Sequence, residues 1–175
     1  MLLEQQGKLS LNDPIHKYIE EFPKFGSAIK IKHLIHNTSG LREYGDLLEL
    51  SNSGIDYYTS RTGFMRYMNM QKSLNFPPGE QYSYSNSNWI LLAMIIEKIK
   101  SIPFRQYMEN EIFGPLGMKN TLVRDNADKL IPNSASFYKS TKNEFYELNY
   151  DWGRAYNLGG MSFVNTTIED LSNWD

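Results

Sequence analysis

Pro77-Pro78-Gly79-Glu80-Gln81-Tyr82-Ser83-Tyr84-Ser85-Asn86 is the stretch on which the reading of this chain turns. Two prolines and a glycine make a stiff turn. The turn delivers a Tyr and an Asn two residues apart, just ahead of the apolar run Trp89 to Ile96. A phenol and a carboxamide therefore sit side by side on a loop pinned by buried structure. Such a pair handles a proton and orients an amide or ester, but it breaks no bond without a nucleophile. Tyr titrates near 10, so it is a base at neutral pH only where ammonium groups stabilise the phenolate. Beside a Lys and facing a Ser, it takes the hydroxyl proton and returns it to a leaving group. Asn86 can donate to a substrate carbonyl and accept from a Lys. On spacing alone, capping of the helix that follows is the simpler explanation of both residues.

Composition sets the frame. The chain has 175 residues, enough for one domain with a core that buries about 70% of the unfolded surface. Hydrophobic content of 41% and charged content of 22% are ordinary for a globular protein. A net charge of -2 makes no electrostatic case for nucleic acid or an anionic membrane. The absence of Cys excludes disulfides, thiolate catalysis and Cys-based zinc sites, and leaves the compartment open. The longest apolar run is eight residues, far short of a membrane span. No signal peptide is visible, so localisation is undecided.

The start and the finish both read as cuts inside a domain. Leu2 to Gly7 resembles the last turn of a helix with Gly7 as its stop. Thr166-Thr167-Ile168-Glu169 is a capping box that opens a helix close to Asp175. Between them, Asn12-Asp13-Pro14 is expected to cap a short helix through Glu21, with Pro at the first helical position. Ile31 to Asn37 turns helical and Gly40 closes it. Residues 42–53 and 56–71 read as two helices broken at Asn52-Ser53-Gly54. Ser87 or Asn88 is expected to cap a buried helix from Trp89 to Lys100. Phe104 to Phe113 is a further helix, ended by Gly114-Pro115. Ser134 to Tyr138 and Glu144 to Leu148 predict a hairpin turning at Lys142-Asn143. Gly159-Gly160 is a turn before the last helix. The whole is one mainly helical unit with a small hairpin.

Five blocks now stand in order along the chain. They are Leu3-Glu4-Gln5-Gln6-Gly7 through Asn12-Asp13-Pro14; Ile31-Lys32-His33-Leu34-Ile35-His36-Asn37-Thr38-Ser39-Gly40-Leu41; Pro78-Gly79-Glu80 through Tyr84-Ser85-Asn86; Phe113-Gly114-Pro115-Leu116-Gly117-Met118-Lys119-Asn120-Thr121; and Gly159-Gly160-Met161 through Asp170-Leu171. With them the chain resembles the serine β-lactamase and penicillin-binding-protein superfamily, in its class C and DD-peptidase-like esterase branch. The blocks look like that family's post-nucleophile segment, its "hLLtHtSGL", its "PGe…YSN", its "PLGM.dT" and its "GG…DL", the last with a few extra residues. The resemblance implies an α/β (α+β) serine β-lactamase/transpeptidase-like fold, an antiparallel sheet with flanking helices plus a helical subdomain. This chain supplies mostly the helical part and lacks most of the sheet. The resemblance also implies that Tyr84 is the catalytic tyrosine that activates the serine. It makes Asn86 the substrate-binding asparagine that also holds the catalytic lysine. Ser85 carries no catalytic role.

Two family elements are missing. The S-x-x-K nucleophile belongs about ten residues before Leu3, upstream of Met1. Ser27-Ala28-Ile29-Lys30 and Ser136-Phe137-Tyr138-Lys139 imitate it, one in an extended approach and one in a strand, where i and i+3 point to opposite faces. The K-T-G strand is absent. Arg61-Thr62-Gly63 imitates it, but precedes Tyr84 and reads as a loop before a helix. His33 and His36 share a helical face, yet a metal site needs more ligands and His16 is the only other His. Their plainer role is structural, with His36 bonded to the following turn.

The reading is a fragment spanning residues 1–175 of a serine hydrolase that works by acyl transfer, with no metal or organic cofactor. The partner is a small-molecule or peptide substrate: β-lactam, D-alanyl peptide and short ester all remain open. Without its serine the chain is expected to be inactive. Two rivals stay open, a non-catalytic homologue that binds cell-wall peptide or a regulator, and a helical structural domain in which Tyr84 and Asn86 only cap.

Overall fold

A run of residues that is apolar around most of its circumference can be stable in water only if other elements surround it. The segment α5 (Asn86–Lys100) is such a run, and it organises the fold. Ile90, Leu91, Ala93 and Ile95 are buried, and Trp89, Leu92, Met94 and Ile96 are half-buried. Full burial of each Ile or Leu contributes about 2 kcal/mol. Around α5 pack α2 (Ile31–Ile35), α3 (Tyr44–Leu50) and α6 (Phe104–Met108). The computed structural model describes residues 1–51, 60–125, 130–140, 145–148, 158, 160 and 164–174.

α4 (Arg61–Met70) packs on α3, where the Tyr44 ring meets Phe64 and Tyr67 edge-on at centroid distances of 5.2 and 5.7 Å. Glu97 ties the far end together. It forms an ion pair with Arg61 and accepts a hydrogen bond of 2.6 Å from the Phe104 amide, so one carboxylate joins α4, α5 and the start of α6. A second, smaller cluster of Phe113, Met118 and Val123 lies beyond α6.

The first turn, α1 (Leu2–Gln5), stops as expected at Gly7, which has φ 67°. The Lys8 amide reaches back to Leu3 O and the Gly7 amide to Glu4 O, the double bond pattern of a left-handed helix stop. Strand content is small among the described residues. β1 (Leu122–Val123) pairs antiparallel with β4 (Val164–Asn165). β2 (Phe137–Ser140) pairs antiparallel with β3 (Phe145–Leu148), with Phe137 opposite Leu148 and Ser140 opposite Phe145. The hairpin is where the sequence placed it, though its first strand begins at Phe137 rather than Ser134.

Several boundaries depart from the sequence reading, each for a local reason. Asn12-Asp13-Pro14 opens only the 3₁₀ turn Ile15–Lys17 and no helix through Glu21. The Asp13 carboxylate is engaged by the Ser10 amide, Lys17 Nζ and the Tyr18 hydroxyl, and Pro14 is extended and bridged to Lys30. Residues 42–53 give a shorter helix, Tyr44–Leu50, and residues 56–71 give Arg61–Met70, capped by the Ser60 hydroxyl on the Gly63 amide. Arg61-Thr62-Gly63 is thus the first turn of α4, not a loop ahead of it. Phe104 to Phe113 is one helical stretch, as read, but its second half, Glu109–Phe113, widens into a π turn closed by the Gly114 amide on Glu109 O. The last helix, α7 (Ile168–Trp174), is capped by Thr167 rather than Thr166, because the Thr166 hydroxyl is held by Thr121 at 2.8 Å. Asn52-Ser53-Gly54, Lys142-Asn143, Gly159 and Met161 lie outside the described residues.

Candidate active site

Two loops meet at the N-terminus of α5. The first follows α2. Asn37 takes a left-handed conformation at φ 53° and stops that helix, and Ser39, Gly40 and Leu41 carry the chain beneath the second loop. Gly40 allows the closest approach: at φ 76°, a Cβ there would sit 2.1 Å from Phe76 O, so only glycine fits. The second loop is the Pro77–Asn86 stretch. Its turn closes with the Glu80 amide on Pro77 O at 3.2 Å. The Gly79 amide then bonds Thr38 O at 2.8 Å and the Ser83 amide bonds Asn37 O at 2.9 Å. His33 lies under the turn, 3.6 Å from where a Gly79 Cβ would be, and its Nδ1 accepts from the Lys30 amide. Burial, with the charges of Lys32, Lys30 and His36, pushes the His33 imidazole pKa below its usual value, so it supports the turn as a neutral ring. Among the described residues, a hydrogen bond is found on the ring of His33 and none on that of His36.

A buried polar network joins the loops. Asn37, Ser39, Ser85, Ser87 and Asn88 are all buried. Asn37 Oδ1 accepts from the Ser85 amide at 3.2 Å and from Asn88 Nδ2 at 2.8 Å. Asn88 Oδ1 accepts from the Ser39 hydroxyl at 2.6 Å, and Ser39 Oγ accepts from the Leu41 amide at 3.1 Å. The hydroxyls of Ser85 and Ser87 both donate to Arg42 O, at 3.2 and 2.7 Å. These groups are satisfied by one another and by the backbone of Leu41 and Arg42, which is what makes their burial tolerable.

Above this network stand the two residues singled out in the sequence. Tyr84 is 54% exposed and Asn86 is half-buried. The Tyr84 hydroxyl donates to Asn86 Oδ1 at 3.0 Å. Ser85, between them, points the opposite way into the protein.

The helix that follows starts earlier than expected. Asn86 is its first residue and Ser85 its N-cap, so Ser87 and Asn88 lie inside its first turn and do not cap it. The Ser85 side chain makes no capping bond either, since it is committed to Arg42 O. Glu43, the N-cap of α3, does that work from outside. Its Oε2 accepts from the Asn86 amide, placing a carboxylate at the positive end of α5. Its Oε1 accepts from Asn86 Nδ2 at 3.0 Å and from the Gly45 amide at 3.1 Å. Sequence reasoning missed Glu43, Asn37, Ser39 and Asn88. No local spacing signals them, because their partners lie more than forty residues away, as with Glu43 and Asn86 at a separation of 43.

The imitation motifs fall elsewhere. Ser27 lies just past the 3₁₀ turn Lys24–Gly26, and Lys30 is bridged to Pro14, so no helix holds them together. Ser136 is exposed just before β2. Arg61 is taken by Glu97. Among the described residues no group of three or more His, Asp or Glu side chains is arranged to hold a metal ion. No described helix is long and apolar enough to cross a membrane.

The family model described as Beta-lactamase matches residues 1–175, the whole sequence. The chain belongs to the β-lactamase family. It is similar to a D-aminopeptidase of Gluconobacter oxydans, at 26% identity over 144 residues, covering 82% of this chain and 26% of the relative. The fold matches a penicillin binding protein from Bacillus halodurans with a TM-score of 0.79 at 23% identity, covering 98% of this chain and 53% of that one. It also matches a D-amino acid amidase from Ochrobactrum anthropi, complexed with L-phenylalanine amide, with a TM-score of 0.78 at 22% identity, covering 99% and 49%. The chain therefore has the β-lactamase/transpeptidase-like fold, represented by mostly helical structure and two-stranded antiparallel sheets. It spans 36%, 27% and 34% of the length of the first curated relatives it matches.

Proposed function

We propose that this chain carries the proton-handling and substrate-holding half of a serine hydrolase that acts by acyl transfer on an amide or ester. The observation that supports this most directly is the Tyr84 hydroxyl, solvent-facing and 3.0 Å from Asn86 Oδ1, on a loop whose underside is a satisfied buried network. An ordinary capping pair would turn its polar atoms to its own helix backbone, whereas here the Tyr84 hydroxyl and Asn86 Oδ1 turn to each other and Asn86 Nδ2 turns to Glu43. Asn86 has used one of its two N–H groups and one of its two lone pairs. One donor remains for a substrate carbonyl and one acceptor for a lysine ammonium.

In this proposal the serine and lysine of S-x-x-K come from a segment N-terminal to residue 1, and the K-T-G-type strand from a segment C-terminal to residue 175. With the lysine ammonium beside it, Tyr84 first gives up its own proton to solvent, and the serine oxygen then adds to the carbonyl carbon while its proton passes to the Tyr84 phenolate oxygen. The tetrahedral intermediate then expels the amine or alkoxide, which takes that proton back from Tyr84. Water attacks the resulting ester by the same route and frees the acid. D-aminopeptidase, amidase and penicillin-binding relatives make an amide beside a D-residue, or a β-lactam, the favoured substrate class.

Acylation by a fluorescent penicillin and a fluorophosphonate tests it. The 175-residue chain alone is expected to stay unlabelled. The full-length protein is expected to be labelled, with Tyr84→Phe slowing acylation by about 10²–10⁴-fold. Labelling of the 175-residue chain, or a Tyr84→Phe protein acylated at the full rate, would overturn the assignment.

A further inference from the structure

Glu43 does more than cap. The backbone amide of Asn86 needs an acceptor, and the carboxylate supplies it. The bond from Asn86 Nδ2 to Glu43 Oε1 serves no backbone group. A carboxamide can be turned end for end at little steric cost, and only its partners decide which end faces where. A carboxylate accepts and never donates. With Glu43 on one side, Nδ2 must face it and Oδ1 must face the Tyr84 hydroxyl, which is the arrangement observed. Glu43 itself is held on firm ground. Oε1 also takes the Gly45 amide, and Tyr44, next in the chain, is buried against Phe64.

We propose that Glu43 is a positioning residue of this site: its carboxylate selects the orientation of the Asn86 carboxamide and, through it, the place of the Tyr84 hydroxyl. This rests on the reading of Tyr84 and Asn86 given above. Glu43 is not asked to touch substrate, and its effect passes through Asn86.

The test is a double-mutant cycle in the full-length protein, read as the second-order rate of acylation by fluorescent penicillin. Glu43→Ala removes both acceptors that Asn86 uses, Oε1 on its carboxamide and Oε2 on its backbone amide. It is expected to slow acylation roughly tenfold to a hundredfold, the worth of a charge-assisted hydrogen bond. Glu43→Asp keeps the charge but is one methylene short, and is expected to be as slow. In an Asn86→Ala background, Glu43→Ala should cost less than about threefold more, since the carboxamide it orients is gone and only the bond to the backbone amide is left to lose. Equal losses in both backgrounds would reduce Glu43 to a structural cap and overturn the inference. A fast Glu43→Ala beside slow Tyr84→Phe and Asn86→Ala would overturn it alone. Fast Tyr84→Phe and Asn86→Ala proteins would sink the site reading and this inference together. Hydrogen exchange of the Asn86 side-chain amide in the 175-residue chain gives a readout free of catalysis. One Nδ2 proton should be protected about tenfold over the other, and Glu43→Ala should erase the difference. Two equally fast protons in the unaltered chain would also overturn the proposal.

Discussion

The paired loops at the start of α5 and the segment from β4 through α7 treat surface in opposite ways. In the first, five small polar residues are buried and every one has a partner, while the exposed Tyr84 and the half-buried Asn86, the pair proposed to act on substrate, lie above them. In the second, one polar residue is buried and the apolar ones are bare. Asp170 accepts from the Asn120 amide and the Thr121 hydroxyl, both at 2.7 Å, whereas Val164, Ile168, Leu171 and Trp174 are each half or more exposed. The contrast teaches where order comes from in each place. A buried hydrogen-bond network fixes positions to a fraction of an ångström because each missing bond is costly. An exposed apolar side chain constrains almost nothing.

Asn88→Ala probes the strongest side of that contrast. It removes the amide that answers both Asn37 and Ser39, leaving buried groups unpaired on each loop. The expected loss is about 3 kcal/mol in urea unfolding. A loss under about 1 kcal/mol would mean that the network is not what holds the loops. Asp13 offers a smaller effect outside both regions. Bonds from the Tyr18 hydroxyl, the Ser10 amide and Lys17 lower its pKa from 3.8 to about 2. The folded-state value is depressed, so its stabilisation is present above pH 3.8 and disappears as pH falls towards 2. After solvent screening, its worth at pH 7 is about 1 kcal/mol or less. Asn at position 13 should flatten the acid limb of the stability profile over that window. An unchanged profile would assign the acid sensitivity elsewhere. Trp174→Ser sits at the weak end, within about 0.5 kcal/mol of the unaltered chain in the same urea experiment. A loss above 1 kcal/mol would show that α7 is anchored by its apolar face, and the contrast would fail.

Much of the helical architecture was legible because it depends on periodicity and punctuation. The apolar run after Trp89, the stop at Gly7 and the break at Gly114-Pro115 are local facts. Helix entrances were read less well. At Asn12-Asp13-Pro14 the expected cap spends its carboxylate on Lys17 and Tyr18. At Thr166 the hydroxyl goes to Thr121 and the cap moves one residue on. At α5 the cap comes from another helix. In each case a side chain capable of capping was claimed by a competing partner, and such competition leaves no trace in spacing.

The chain by itself determined the family order of the blocks, the buried helix and the identity of Tyr84 and Asn86 as a pair worth attention. Those depend on residue type and short-range spacing, which sequence records directly. Only the tertiary structure decided what the pair rests on. Asn37, Ser39 and Asn88 could be recognised as a floor, and Glu43 as a clamp, only once α2, α3 and α5 had packed and brought groups forty and more residues apart into hydrogen-bond contact.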